Sequence, residues 1–286
     1  MASVDLPQGV DVASYQQYPD WTSMREAGYA FAFTKSTEAT DYVNPYFVEN
    51  WRRIKESGLY RGAYHFARPD KTGPETEAEF FVNVVEARGL DQGDLLALDI
   101  EDYDGSFGRS WVGIAEWSIR FLERTEQLVG FKPLIYVSGA VIREQYFSQY
   151  GDRFKDFGLW LASWRSTMPP PPPPWDVIAF WQDGVYGVEK VPGIQGSCDH
   201  DYFNGESSAI PLYGKRLAPP VPEPLPERFL VGAGIRDRMR DNGDVPGDNE
   251  MYVKDREGVD LFSYCHSAAG LTYIYFPRDQ RVVVGS

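Results

Sequence analysis

Short apolar runs, each stopped by Gly, Pro, Asp or Ser, alternate with longer amphipathic stretches through the first 205 residues. The strand candidates are residues 10–13, 30–34, 61–66, 95–101, 134–138, 159–163 and 177–182, rich in Val, Ile, Leu, Ala and aromatics. Between them lie helical patterns. Residues 45–57 carry Phe47, Val48, Trp51 and Ile54 on one stripe, with Gly58 as the stop. Residues 74–88 open on a proline, which suits a first helical position, and residues 110–129 form the longest amphipathic pattern. An alternation of this kind implies a mainly parallel sheet with covering helices. So many strands in so short a span favour a closed barrel over an open sheet. Little helix separates the strands beyond Gly130, so the expected fold is α/β, an irregular (β/α) barrel. In such folds the functional site lies at the carboxyl ends of the strands.

Prolines divide the chain. Six in a row, Pro169–Pro174, predict a stiff spacer loop, and a second Pro-rich stretch follows the barrel-like part. The expected layout is a domain at 1–208, a semi-rigid linker at 209–227 and a small C-terminal β-rich domain at 228–286. The last contains turn signals and two β-like runs, 271–276 and 281–284.

The formal net charge of −14 argues against a nucleic-acid partner, which needs clustered Lys and Arg. Nearly all of the acid excess falls in residues 1–210, where solubility is the plain reading. No run of 18 apolar residues exists, so membrane insertion is not expected. The opening residues show neither a basic nor an apolar leader region, so no secretory signal peptide is expected. Cys198 and Cys265 have no metal-type spacing and read as two free thiols; no metal and no cofactor is called for.

The sharpest chemical feature is Leu95-Leu96-Ala97-Leu98-Asp99-Ile100-Glu101, an apolar strand ending in alternating acids. Side chains alternate along a strand, so Asp99 and Glu101 share one face, about 6.6 Å apart along the backbone at ~3.3 Å per residue. Two such carboxyls suit glycoside cleavage, which needs one proton donor and a second group beside the cationic centre. A metal site or a solvated strand end remains open on the pattern alone. Asp11 interrupts another apolar run, a costly placement unless it is paired or functional. Further acids, Asp199 and Asp201, follow the last strand candidate, and His65 reads as a hydrogen-bonded core histidine in preference to a catalytic base.

In order along the chain, Gly9-Val10-Asp11-Val12 with Ser14, Phe33-Thr34-Lys35-Ser36-Thr37-Glu38, Gly62-Ala63-Tyr64-His65-Phe66, Leu98-Asp99-Ile100-Glu101, Pro133-Leu134-Ile135-Tyr136, Trp160-Leu161-Ala162-Ser163-Trp164, Phe180-Trp181-Gln182 and Cys198-Asp199 resemble glycoside hydrolase family 25, the Chalaropsis-type muramidases. The resemblance implies a lysozyme that hydrolyses the β-1,4 bond between N-acetylmuramic acid and N-acetylglucosamine in the glycan strands of peptidoglycan. By position it implies Glu101 as general acid and Asp99 as the residue that orients the substrate acetamido group or stabilises developing charge. It also implies Asp11, Asp199, Tyr64, Tyr136, Glu38 and Trp181 as substrate-binding residues. Attack by the substrate's own acetamido oxygen and attack by Asp99 both stay open. Ser36 and Ala39 stand where the family usually shows Ala and Gly, Cys198 where Val is common, and Asp201 where Asn is frequent. None of these removes a proposed carboxylate.

The rival readings are a chitinase-like acetamido-sugar hydrolase and a non-catalytic wall-binding protein. For the C-terminal module, cell-wall targeting is the leading expectation and homo-oligomerisation the competitor. Wall-lytic chemistry with an appended module resembles phage endolysins, which act at the bacterial cell wall to lyse the host.

Overall fold

A computed structural model of the chain describes residues 6–101, 111–144 and 147–214. In the C-terminal part it describes the backbone of 246–254, 260–267, 272–276 and 281–285. The chain divides into two compact units, Met1–Leu217 and Ala218–Ser286.

The first unit is an eight-stranded closed mixed barrel. Its strands are β1 (Gln8–Val12), β2 (Phe31–Glu38), β4 (Tyr60–Phe66), β5 (Leu95–Ile100), β6 (Leu134–Ser138), β7 (Leu159–Ala162), β8 (Ile178–Gly187) and β9 (Ser197–Phe203). A two-residue strand β3 (Tyr42–Val43) hangs on β2 as a hairpin. Neighbours from β1 through β8 run parallel, and β9 closes the barrel antiparallel to both β8 and β1. The expected strands are all present. β9 is the addition: Asp199 and Asp201 disguise it, because acids are poor strand formers.

Helices α2 (Phe47–Glu56), α3 (Pro74–Glu86) and α4 (Trp111–Val129) match the helical patterns. Short helices α1 (Trp21–Glu26), α5 (Gly139–Glu144) and α6 (Gly151–Lys155) fill other connections. α1 begins where Asp20 Oδ1 accepts the backbone N–H groups of Thr22 and Ser23, both at 3.1 Å, which satisfies two of the helix's unpaired donors. The six-proline run ends at Trp175, whose indole donates to Phe157 O (2.9 Å) and packs beside Phe154.

An aromatic plug fills the barrel interior. Phe33 stacks on Trp160 with centroids 4.2 Å apart, and Phe180 meets both Phe31 and Phe33 edge-on. Glycine makes this fit possible: a Cβ on Gly62 would lie 2.1 Å from the Phe33 ring, and one on Gly9 would lie 2.3 Å from Phe31. Beneath the plug, a 3-10 helix at Ser207–Gly214 closes the amino ends of the parallel strands. Its Ile210 is fully buried, Tyr213 packs on Phe180 and Phe203, and Gly93 N–H donates to Gly214 O (3.0 Å). The stretch expected as linker from 209 thus begins inside this helix. Pro211 gives the stretch a linker-like composition, but buried Ile210 and half-buried Tyr213 pack it against the barrel.

The second unit contains β10 (Pro246–Lys254), β11 (Asp260–Ser267), β12 (Thr272–Phe276) and β13 (Arg281–Gly285) in one antiparallel sheet of order β10-β11-β12-β13. Both β-like runs of the sequence are strands of this sheet. No helix among the described residues is long and apolar enough to cross a membrane.

Candidate active site

With the amino end closed and the middle plugged, the barrel opens at the carboxyl ends of its parallel strands. There a cavity of about 840 Å³ is lined by alternate residues of successive strands. Tyr64 and Phe66 come from β4, Asp99 and, just past its end, Glu101 from β5, Tyr136 and Ser138 from β6, and Trp160 and Ala162 from β7. The period-two spacing within each pair is the strand repeat. Register does the rest. Asp99 pairs with Phe66 on one side and Tyr136 on the other, and Tyr136 pairs with Trp160, so one rung of the sheet carries four lining groups. Across the barrel, the β1–β9 pairing sets Asp11 directly opposite Asp199.

The cavity is acidic at its base, and its acids there are buried. Asp11 and Asp99 are 8% and 5% exposed, and Asp201 beneath them is fully buried. Burial pushes all three carboxyls well above the usual carboxylate range. Repulsion adds to the effect: Asp201 and Asp199 act on Asp11, Glu101 on Asp99, and Asp199 on Asp201. Asp199 is pushed up to about 6, chiefly by desolvation. Asp99 also shares a side-chain hydrogen bond with Glu101 that favours its protonated form, while the positive charge of Lys35 acts the other way. Oδ1 of Asp99 has no hydrogen-bond partner among the described residues. Trp160 donates its indole N–H to Asp201 Oδ1 at 2.7 Å, fixing the cavity wall to the buried acid below.

One rim is basic but internally compensated. Lys35 Nζ lies 2.8 Å from Glu38 Oε2 and 4.5 Å from the centre of the Phe66 ring. Arg68 reaches Glu38 Oε1 (3.1 Å) and Asp70. Glu38 is thereby held below its usual range despite partial burial. Two exposed aromatics, Tyr15 (87% exposed) and Trp164 (64% exposed), also line the cavity.

Glu101, Asp99, Asp11, Asp199, Tyr64, Tyr136 and Glu38 all line this cavity. Trp181 does not. It is 4% exposed, donates its indole N–H to Ser163 O (2.8 Å) and stacks on Tyr202 in the layer outside the barrel wall. The physical reason is again strand alternation: on β8 the next residue, Gln182, takes the inward position. Gln182, Trp164, Trp160, Tyr15 and Arg68 are lining residues that sequence reasoning did not single out. The phase of β8 was ambiguous, since Phe180 and Trp181 are both apolar.

His65 is the core histidine its context implied. It is fully buried, accepts or donates between Thr37 Oγ1 and Glu77 Oε2 (2.8 Å each), and stacks on Phe121. Cys198 is a buried free thiol, and the side chain of Cys265 lies outside the described residues.

Comparison with known proteins agrees with this architecture. The model of the glycosyl hydrolases family 25 matches residues 10–187. The chain is 34% identical over 214 residues to an uncharacterized protein, YegX, of Escherichia coli O157:H7, covering 72% of each. It is 30% identical over 210 residues to lysozyme M1 of Streptomyces globisporus, covering 71% of this chain and 69% of that one. Among solved structures it superposes on the bacterial lysozyme of Streptomyces coelicolor with a TM-score of 0.67 and 28% identity, covering 76% of this chain and all of the other. A closed mixed barrel with paired carboxyls at its open end, matched by the family model over more than half its length, places this chain in glycosyl hydrolase family 25.

Proposed function

We propose that Glu101 delivers the proton in a peptidoglycan muramidase, a lysozyme that cleaves the β-1,4 bond between N-acetylmuramic acid and N-acetylglucosamine. One observation carries the reading: Asp99 and Glu101 share a strand face, a hydrogen bond and a cavity. Such a pair retains a proton at pH values where a lone carboxylate has lost it, and the titration belongs to the pair. Glu101 protonates the bridging oxygen as the C1–O bond breaks. The sugar's acetamido oxygen closes on C1 and stabilises the cationic centre, and water then opens that ring and returns the proton to Glu101.

Asp99 offers the acetamido N–H an acceptor in its unpartnered Oδ1. Tyr64 and Tyr136 supply the sugar contacts deep in the cavity, with Asp11 and Asp199 on the far wall. For the C-terminal module we propose wall tethering, and host lysis at the wall as the setting. A separate antiparallel sheet appended to a hydrolase suits retention on an insoluble substrate.

The test is Glu101→Gln. Release of reducing muramic acid ends from purified cell walls, followed by mass spectrometry, falls by about a hundredfold to ten-thousandfold, the usual share of a general acid. The circular dichroism spectrum stays that of wild type. Clearing at the wild-type rate by this variant would sink the assignment.

A further inference from the structure

Gln182 occupies an unusual position between the exposed rim and the buried base of the cavity. It is 3% exposed, so its amide must find partners within the protein. Oε1 accepts two hydrogen bonds, from the Tyr136 hydroxyl and from the Trp164 indole N–H, each at 3.0 Å. Nε2 donates to Asp11 Oδ2 at 2.9 Å. The amide cannot be turned around. An indole N–H only donates, so the atom facing Trp164 must be the oxygen, and the nitrogen is left for the carboxyl of Asp11.

Trp164 has the converse property. Its ring is 64% exposed, yet its polar atom is bound inward. An exposed indole tethered at its N–H presents a broad apolar surface of settled orientation at the rim of a cavity. A pyranose ring offers a matching patch of C–H groups on one face. A surface held in place before the ligand arrives loses less side-chain freedom on binding.

We propose that Gln182 is a positioning residue that sets Trp164 as a sugar-stacking wall and, through the same amide, keeps Asp11 oriented at the cavity base, so that rim binding and the acid cluster are coupled through one side chain. The proposal rests on the muramidase reading of the site.

Its test separates the two halves of the amide, using the full chain and a soluble tetrasaccharide of alternating N-acetylglucosamine and N-acetylmuramic acid. Trp164→Phe keeps a ring but loses the donor, so KM rises about tenfold while kcat falls less than about threefold. Gln182→Glu still accepts from Tyr136 and Trp164 but cannot donate to Asp11 when ionised and sets a like charge beside it. Its kcat falls by about tenfold or more while KM stays within about threefold. Gln182→Leu loses both, and adding Trp164→Phe to it raises KM no further, because the tether is already gone. A merely structural role would lower the melting temperature without producing this split. If Gln182→Leu does not fold, the other two single variants still decide. Equal changes in kcat and KM for both, or additive effects on KM in the double variant, overturn the proposal. A wild-type chain that cleaves the tetrasaccharide while Trp164→Phe leaves KM unchanged overturns it alone. A wild-type chain that neither binds nor cleaves the tetrasaccharide overturns the muramidase reading with it.

Discussion

Asp199 shows how the cavity loads energy onto single residues. Its carboxyl is raised from 3.8 to about 6 in the folded chain. A carboxyl with a raised folded pKa binds its proton more tightly when folded. It therefore stabilises the fold below the unfolded value, and that contribution is lost as pH rises from 3.8 through about 6. At neutral pH the ionised group is held at a desolvation cost. Asp199→Asn is thus expected to be more stable than wild type near pH ~7.5, by on the order of 1–2 kcal/mol. The advantage should shrink to nothing near pH ~4, where both side chains are neutral. Thermal melts of the two proteins at both pH values measure it. A variant that melts lower at neutral pH, or by the same margin at both, would contradict the electrostatic account. With Asp199 in the substrate-binding role proposed above, the more stable variant is expected to be the poorer enzyme.

At the scale of the strand, the site depends on spacing that a single methyl group can disturb. β2 and β4 approach closely enough for Phe33 to lie over Gly62, where a Cβ would come within 2.1 Å of the ring. The ring is stacked on Trp160, which in turn holds Asp201 and lines the cavity, so Phe33 cannot move aside freely. Gly62→Ala is expected to destabilise the protein by about 1–3 kcal/mol, the usual cost of overpacking a core. Urea denaturation followed by tryptophan fluorescence reads this directly, and an unchanged midpoint would show that the plug is looser than described. Ala39, at the turn after β2, takes a left-handed backbone conformation (φ 48°) where the family usually has glycine. The strain of that conformation, about 1–2 kcal/mol, is offset by burying its methyl group and by restricting the unfolded chain.

At the scale of the whole molecule, the chain pairs a barrel that can bind a glycan with a separate antiparallel sheet. If the second unit tethers the enzyme, its removal affects insoluble and soluble substrates differently. A chain ending at Leu217 is expected to keep kcat/KM on the soluble tetrasaccharide within about threefold and to lose about tenfold or more in the clearing of intact cell walls, where effective concentration matters. Equal losses on both substrates would point to a structural role instead, and fewer chains per particle on truncation, read by sedimentation equilibrium, would point to oligomerisation.

The amino-acid order determined the barrel because its information is local and periodic. Apolar runs bounded by Gly, Pro and Asp specify strands, the patterns at 45–57, 74–88 and 110–129 specify helices, and Asp99-Ile100-Glu101 puts two acids on one face without reference to anything distant. Tertiary structure alone decided what required a partner far along the chain. β9 is a strand because β1 and β8 offer it two edges, despite its acids, and that pairing brings Asp199 opposite Asp11. Residues 207–214 belong to the barrel because the open amino end needs an apolar cover, which outweighs a proline-rich composition. Gln182 rather than Trp181 faces the cavity because register, not residue type, sets which side of β8 is inward. Local pattern gives each residue its conformation; which groups meet depends on closure of the sheet, and closure is a property of all the strands together.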